Sequence, residues 1–227
     1  MAPQRPSRNQ LDKAGSRVRR AARERVEVPD SVLRTIDDFR AWHLPTLQEV
    51  QRRISGFFHE QTGLGAENLP VTSRLKTPSA ITAKLVRTET SLVRMQDIVG
   101  ARIVVPNLDM QNASLAVVEG ALFANCVQHV KDQRQEPDQY GYRAIHVIIQ
   151  LEGRIAEIQI RTRWQDAWAQ IVESLDSSLG KDLKHGRGPA EWLEWLHAVS
   201  DEYRKADLGR PYVTPPLPFD EVEEAQE

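Results

Sequence analysis

Asp97, in MQDIVGARIVVPN, and Glu157, in RIAEIQIRT, are acids set in β-branched, apolar runs, where a carboxylate is costly without a partner or a ligand. Upstream, VTSRLKTPSAITAKLVRTE supplies Arg74, Lys76, Lys84 and Arg87. Arg74 and Lys76 lie two apart and share a face of extended chain. Pro78 suits the first turn of a helix that begins near Thr77 and carries Lys84 and Arg87, so the spacing predicts that four cations converge. Carboxylates bind Mg²⁺ directly and cations hold polyphosphate oxygens, so the pairing points to a nucleoside triphosphate rather than to a metal-only or peptide site. Each acid taken alone also reads as a strand-edge salt bridge.

A second group follows in YGYRAIHVIIQLEGRIAEIQIRTRWQDAW, residues 140–168. Two short strands joined by Glu152-Gly153, with an aromatic loop before them and a helix after, bring a ring, an imidazole and a carboxylate to one place. Glu157, Gln159 and Arg161 alternate with Ile158 and Ile160, which puts the three polar side chains on one face and the isoleucines toward a core. Tyr142 and His146, four apart, share a face of the first strand, which makes His146 the histidine favoured for a functional role, with a buried structural histidine as the alternative. Tyr140 extends a stacking platform or caps the loop. Trp164 and Trp168, four apart on a helix, read as core, as do Trp192 and Trp195.

The elements that must hold these groups are legible from periodicity. Ser7 is a candidate cap for a helix with Leu11, Ala14, Val18, Ala21 and Ala22 at helical spacing. Residues 30–60 read as two helices interrupted near Leu44-Pro45, since proline breaks helix interiors. QTGLGAENLP reads as a connection. A strand then runs through Ile98–Val105, a helix through Asp109–Phe123, a strand through Val127–Lys131, and the central pair through Arg143–Leu151 and Arg154–Arg161. Helices follow at Trp164–Leu179 and Ala190–Ala206, and the chain past Leu208 reads as disordered and acidic. The order gives an α/β (α+β) architecture, a mixed and largely antiparallel sheet of 4–5 strands flanked by helices.

The chain has 227 residues, 40% hydrophobic and 27% charged, with no apolar run long enough to span a bilayer. One cysteine, Cys126, makes no internal disulfide and no zinc site, and the N-terminus lacks an apolar signal, which together favour the cytoplasm. The net charge of −2 is uneven, because residues 1–25 hold eight basic and two acidic side chains, a charge of +6. Such a basic arm engages a phosphate backbone through counterion release, or is simply an amphipathic helix or solvated tail.

RLKTPSAITAKL, DIVGARIVV, GYRAIH and EIQIRTRWQDAWAQI, in this order, resemble the synthetase domain of the RelA/SpoT-type alarmone synthetases over about residues 70–180. The resemblance implies a nucleotidyltransferase-like fold that moves the β,γ-pyrophosphate of ATP to a ribose 3′-hydroxyl, with Mg²⁺ as cofactor. It implies that Arg74, Lys76, Lys84 and Arg87 bind ATP, and that Asp97 and Glu157 hold the metal, Glu157 also assisting deprotonation of the hydroxyl. Tyr142, His146, Tyr140, Gln159 and Arg161 would bind the acceptor. On this division, 1–29 is a basic arm or helix, 30–207 the synthetase domain and 208–227 a tail.

The chain departs from that pattern. Asp138, Gln139 and Tyr140 stand where many members read lysine, any residue, asparagine, and Ala80 stands where a serine is common. A stand-alone synthetase is expected, with no hydrolase region before the motifs and no long regulatory region after them. The chain therefore looks more like the toxic small alarmone synthetases, and the favoured acceptor is the 3′-CCA end of tRNA, with a small antitoxin protein as a partner. A (p)ppGpp or (p)ppApp synthetase using GDP, GTP or adenosine nucleotides is the alternative, and an inactive RNA-binding module is the alternative of another class.

Overall fold

The computed structural model describes residues 4–60, 70–137, 140–180 and 182–218. The glycine-bearing connection (61–69), the Asp138-Gln139 departure and the acidic end (219–227) lie outside the described residues. The helices are α1 (Arg8–Glu24), α2 (Asp30–Glu60), α3 (Pro78–Thr88), α4 (Leu108–Val117), α5 (Arg163–Leu179) and α6 (Ala190–Asp207). The strands are β1 (Val71–Leu75), β2 (Val99–Val105), β3 (Val127–Asp132), β4 (Ile145–Leu151) and β5 (Arg154–Thr162). The five strands form one mixed, largely antiparallel sheet in the order β1-β2-β5-β4-β3. Among the described residues no helix is long and apolar enough to cross a membrane.

The chain divides into two units. The first comprises Met1–Ile103, Val118–Val130 and Val147–Gln159. Its core joins Leu11, Ala14 and Val18 of α1 to Val32, Ile36 and Phe39 of α2, to Ile81 and Leu85 of α3, and to Ile98. The N-terminal helix is therefore built into this unit. Ser7 accepts from the Gln10 backbone while the Gln10 side chain accepts from the Ser7 backbone, a reciprocal cap that starts α1. Lys13, Arg17 and Arg23 are exposed and make no ion pair with the described residues, whereas Arg19 is half-buried and donates to the Thr90 carbonyl (3.0 Å).

Residues 30–60 form one helix with Pro45 inside it, rather than the two expected from the proline. Proline removes one backbone hydrogen bond and crowds the preceding turn, and here packing and capping outweigh that cost. Val32, Ile36 and Phe39 before it and Val50, Ile54 and Phe58 after it are all buried. Arg154 Nε donates to the Trp42 carbonyl (2.7 Å), in the turn that the proline disturbs.

The second unit comprises Val104–Val117, Lys131–His146 and Ile160–Glu227. Trp168, Ala169 and Val172 of α5 pack with Leu183 and with Trp192, Leu196 and Val199 of α6, and the Trp168 indole donates to the Leu196 carbonyl (2.7 Å). The chain after Leu208, expected to be disordered, returns along α6 over the described residues. Tyr212 stacks edge-on against Trp164, and Trp195 donates to the Pro215 carbonyl. Aromatic contacts supply what composition alone did not reveal.

Candidate active site

In the first unit the cations are brought to Asp97 by backbone pairing. β1 runs antiparallel to β2 with Arg74 opposite Gly100 and Leu75 opposite Val99, and the Lys76 N–H then donates to the Ile98 carbonyl (2.9 Å). Lys76 is thereby fixed beside the residue that follows Asp97. Thr77 caps α3 through its hydroxyl and Pro78 begins it, so Lys84 projects from the second turn of the helix. Lys76 Nζ and Lys84 Nζ both lie 2.9 Å from Asp97 Oδ2. Burial works to raise the Asp97 pKa, but the two lysines outweigh it and hold the carboxyl below its ordinary range.

Asp97 Oδ1 is buried with no hydrogen-bond partner among the described residues. A charged, directed and unsatisfied oxygen of this kind fits a divalent cation. Mg²⁺ is held by one or two carboxylates and completes its shell with water and phosphate, so Asp97 with one further acid would be enough to hold it. Glu157, the other candidate ligand, is half-buried on β5 and accepts from the Gln159 amide (3.0 Å), while Ala156, Ile158 and Ile160 are buried as the alternation predicts.

Of the four cations, Lys76 and Lys84 meet at Asp97. Arg74 is exposed and Arg87 is half-buried in the last turn of α3, and neither pairs with an acid among the described residues. Arg40 was not singled out from the sequence. It donates Nε to the Lys76 carbonyl (2.7 Å) and pairs with Asp37 (2.8 Å), so it steadies the backbone that carries the lysine. An acid and an arginine three apart on a helix were the only signal.

In the second unit, Tyr142 lies in the loop before β4 and not on the strand as expected, and from there its Oη comes 3.0 Å from His146 Nε2. Arg161 donates to the same hydroxyl (3.0 Å), lies 5.2 Å from the Tyr142 ring centroid, and is anchored by Asp166 (3.1 Å). Arg161 is only 5% exposed. Burial alone would lower its pKa, but Tyr142 and Asp166 raise it. Its place is behind Tyr142. Tyr142 also packs on the tryptophan cluster, 6.1 Å from Trp168.

Tyr140 is half-buried over Gly186, whose φ of +71° and lack of a Cβ both serve the contact, since a Cβ there would meet the ring. Arg143, in the same GYR run, is a buried clamp. It donates to Ser200 Oγ (3.2 Å), the Arg134 carbonyl (2.7 Å) and Asp201 (2.8 Å), tying the loop to α6. Arg143 and Asp166 lie inside the quoted motifs, yet spacing alone gave neither a role.

With these two groups in place, residues 73–176 match the family model described as a region found in RelA / SpoT proteins. The uncharacterized protein Rv1366 of Mycobacterium tuberculosis is 35% identical over 151 residues, 66% of this chain and 53% of that protein. The GTP pyrophosphokinase YwaC of Bacillus subtilis is 32% identical over 134 residues, 49% of this chain and 59% of that protein. The chain spans about half the length of the curated relatives it matches. Among solved structures, small alarmone synthetase 2 of Bacillus subtilis aligns with a TM-score of 0.59 at 26% identity, covering 72% of this chain and 89% of that one. Small alarmone synthetase 1 of the same organism, bound to its product pppGpp, aligns with a TM-score of 0.62 at 23% identity, covering 73% and 89%.

Proposed function

Starting from a chain that carries the RelA/SpoT-type synthetase region and fold, we propose that it is a pyrophosphokinase that moves the β,γ-pyrophosphate of ATP to the 3′-hydroxyl of a guanine nucleotide. The observation that carries this reading is Asp97, a charged carboxylate with two lysines on one oxygen and a buried, unpartnered second oxygen. Lys76 and Lys84 grip the polyphosphate, with Arg74 and Arg87 free to reach its outer oxygens. Asp97 and Glu157 hold Mg²⁺, which draws charge from the phosphate oxygens when bound. Tyr142 receives the acceptor base on its ring, with His146 beside the ribose or phosphate, and Arg161 supports the tyrosine.

The chemistry follows from these roles. Glu157 takes the proton of the 3′-hydroxyl, the 3′-oxygen bonds to the β-phosphorus, and the bond from that phosphorus to the α,β-bridging oxygen breaks to release AMP. Lysines and arginines spread the charge that builds on the phosphoryl oxygens, so the residues work by positioning and electrostatics.

The named activity of YwaC and the pppGpp bound to small alarmone synthetase 1 favour a guanine acceptor over tRNA. The tRNA reading retains one specific observation, the outward row of Lys13, Arg17 and Arg23 on α1, and a restraining antitoxin belongs to that reading alone. Incubation with γ-labelled ATP and, separately, GDP, GTP, adenosine nucleotides or tRNA decides between them. Label is expected in a guanosine 3′-diphosphate; label only in tRNA reverses the acceptor assignment and leaves the reaction class standing.

A further inference from the structure

Two ammonium groups share one oxygen of Asp97, each 2.9 Å away, with the three side chains 19–27% exposed. A single carboxylate charge therefore serves two cations, while its other oxygen is buried and unpartnered. A polyphosphate that takes both lysines leaves Asp97 as a buried anion without compensation. A divalent cation that takes Asp97 alone meets two ammonium groups. Each event by itself creates an uncompensated charge in a half-dry site, which is strongly unfavourable. Both penalties disappear when phosphates and cation enter together, because the lysines pass to phosphate as the carboxylate passes to metal.

The backbone is pinned for such an exchange. The Lys76 N–H is held by the Ile98 carbonyl and the Lys76 carbonyl by Arg40, and α3 is capped by Thr77. Only side chains need to swing. We infer that Asp97 is a specificity-determining residue that clasps Lys76 and Lys84 until a divalent cation arrives with the polyphosphate, so that the site selects metal-complexed over metal-free nucleotide. This inference rests on the nucleotide reading above and deepens it. Reciprocity requires that metal alone bind weakly for the same reason that metal-free nucleotide does.

Calorimetric titration with an ATP analogue carrying a methylene between the α- and β-phosphorus, in EDTA and in Mg²⁺, tests it on the full chain. Wild type is expected to bind weakly in EDTA and tightly in Mg²⁺. Asp97→Asn frees the lysines, so its affinity in EDTA is expected to rise about tenfold, within the usual range of coupling between sites. Glu157→Gln also removes a carboxylate, but not the one that Lys76 and Lys84 contact, and it is expected to give no such gain. A folded Asp97→Asn protein that binds no more tightly in EDTA than wild type, or a Glu157→Gln protein that matches its gain, overturns the inference and leaves the nucleotide reading intact. Wild type that fails to bind even in Mg²⁺ overturns both. Should Asp97→Asn not fold, Lys84→Met is read by Mn²⁺ titration without nucleotide: tighter Mn²⁺ binding than wild type supports the clasp, and equal or weaker binding overturns it.

Discussion

Asp97 and Asp207 each keep one carboxylate oxygen buried and without a hydrogen-bond partner among the described residues, yet they titrate in opposite directions. At Asp207 burial dominates. It outweighs the hydrogen bond from Thr162 and the charges of Arg163 and Arg143, and pushes the group up to about 6. At Asp97 burial pushes the same way, but Lys76 and Lys84 in direct contact reverse it. Burial shifts an acid toward its neutral form; contact with ammonium groups favours the anion. Of the two, Asp97 therefore offers a committed charge to a metal and its phosphates, whereas Asp207 joins the start of α5 to the end of α6 through Thr162 (2.8 Å).

If the charged unit carries the chemistry, Glu157→Gln should cost the most. Loss of the base and ligand is expected to lower kcat by about 10³-fold or more with the melting temperature unchanged; wild-type turnover in this variant contradicts the role of Glu157. The same unit depends on α1, because Leu11 packs with Ile81 and Leu85 of the helix bearing Lys84. Leu11→Ala should destabilise by about 2–5 kcal/mol in denaturant unfolding, whereas neutralising Lys13, Arg17 and Arg23 should leave stability unchanged. Equal losses in the two would mean that the exposed cations also hold the helix.

On the aromatic side, Arg161→Lys keeps a charge but loses the planar fork that spans Asp166 and Tyr142. A rise of about tenfold in acceptor KM is expected with binding of the ATP analogue unaltered, on the order of one lost charge-assisted hydrogen bond. A parallel loss of analogue binding would show a general structural role instead. The smallest effect concerns Asp207. Its folded pKa is raised above the unfolded value, so its ionisation penalises the fold above about pH 6, and the penalty fades as the pH falls toward the unfolded value. Asp207→Asn should raise the melting temperature at pH 7.5 and have no effect near pH 4; an equal effect at both would remove Asp207 from the comparison.

Much of this could be read from residue order. Periodicity gave the strands and the alternation on β5, because those are local consequences of backbone geometry; Tyr142 reaches His146 from the loop before β4 instead. Convergence of Lys76 and Lys84 on Asp97 was legible through the strand followed by a proline-started helix. The uninterrupted α2 was not, since Arg154, 112 residues from Trp42, caps the turn that Pro45 disturbs. The inward role of Arg161 was hidden for a related reason. Period 2 assigns a face, but Asp166 and Tyr142 decide that this arginine supports the ring from behind.

The central claim is transfer of pyrophosphate as a unit from ATP to a ribose 3′-oxygen. Phosphorus NMR of the purified chain with ATP, Mg²⁺ and GDP reads it directly. AMP and a guanosine 3′-diphosphate should appear in equal amounts. Formation of ADP, or of free phosphate with no 3′-modified nucleotide across the acceptors tested, would contradict it.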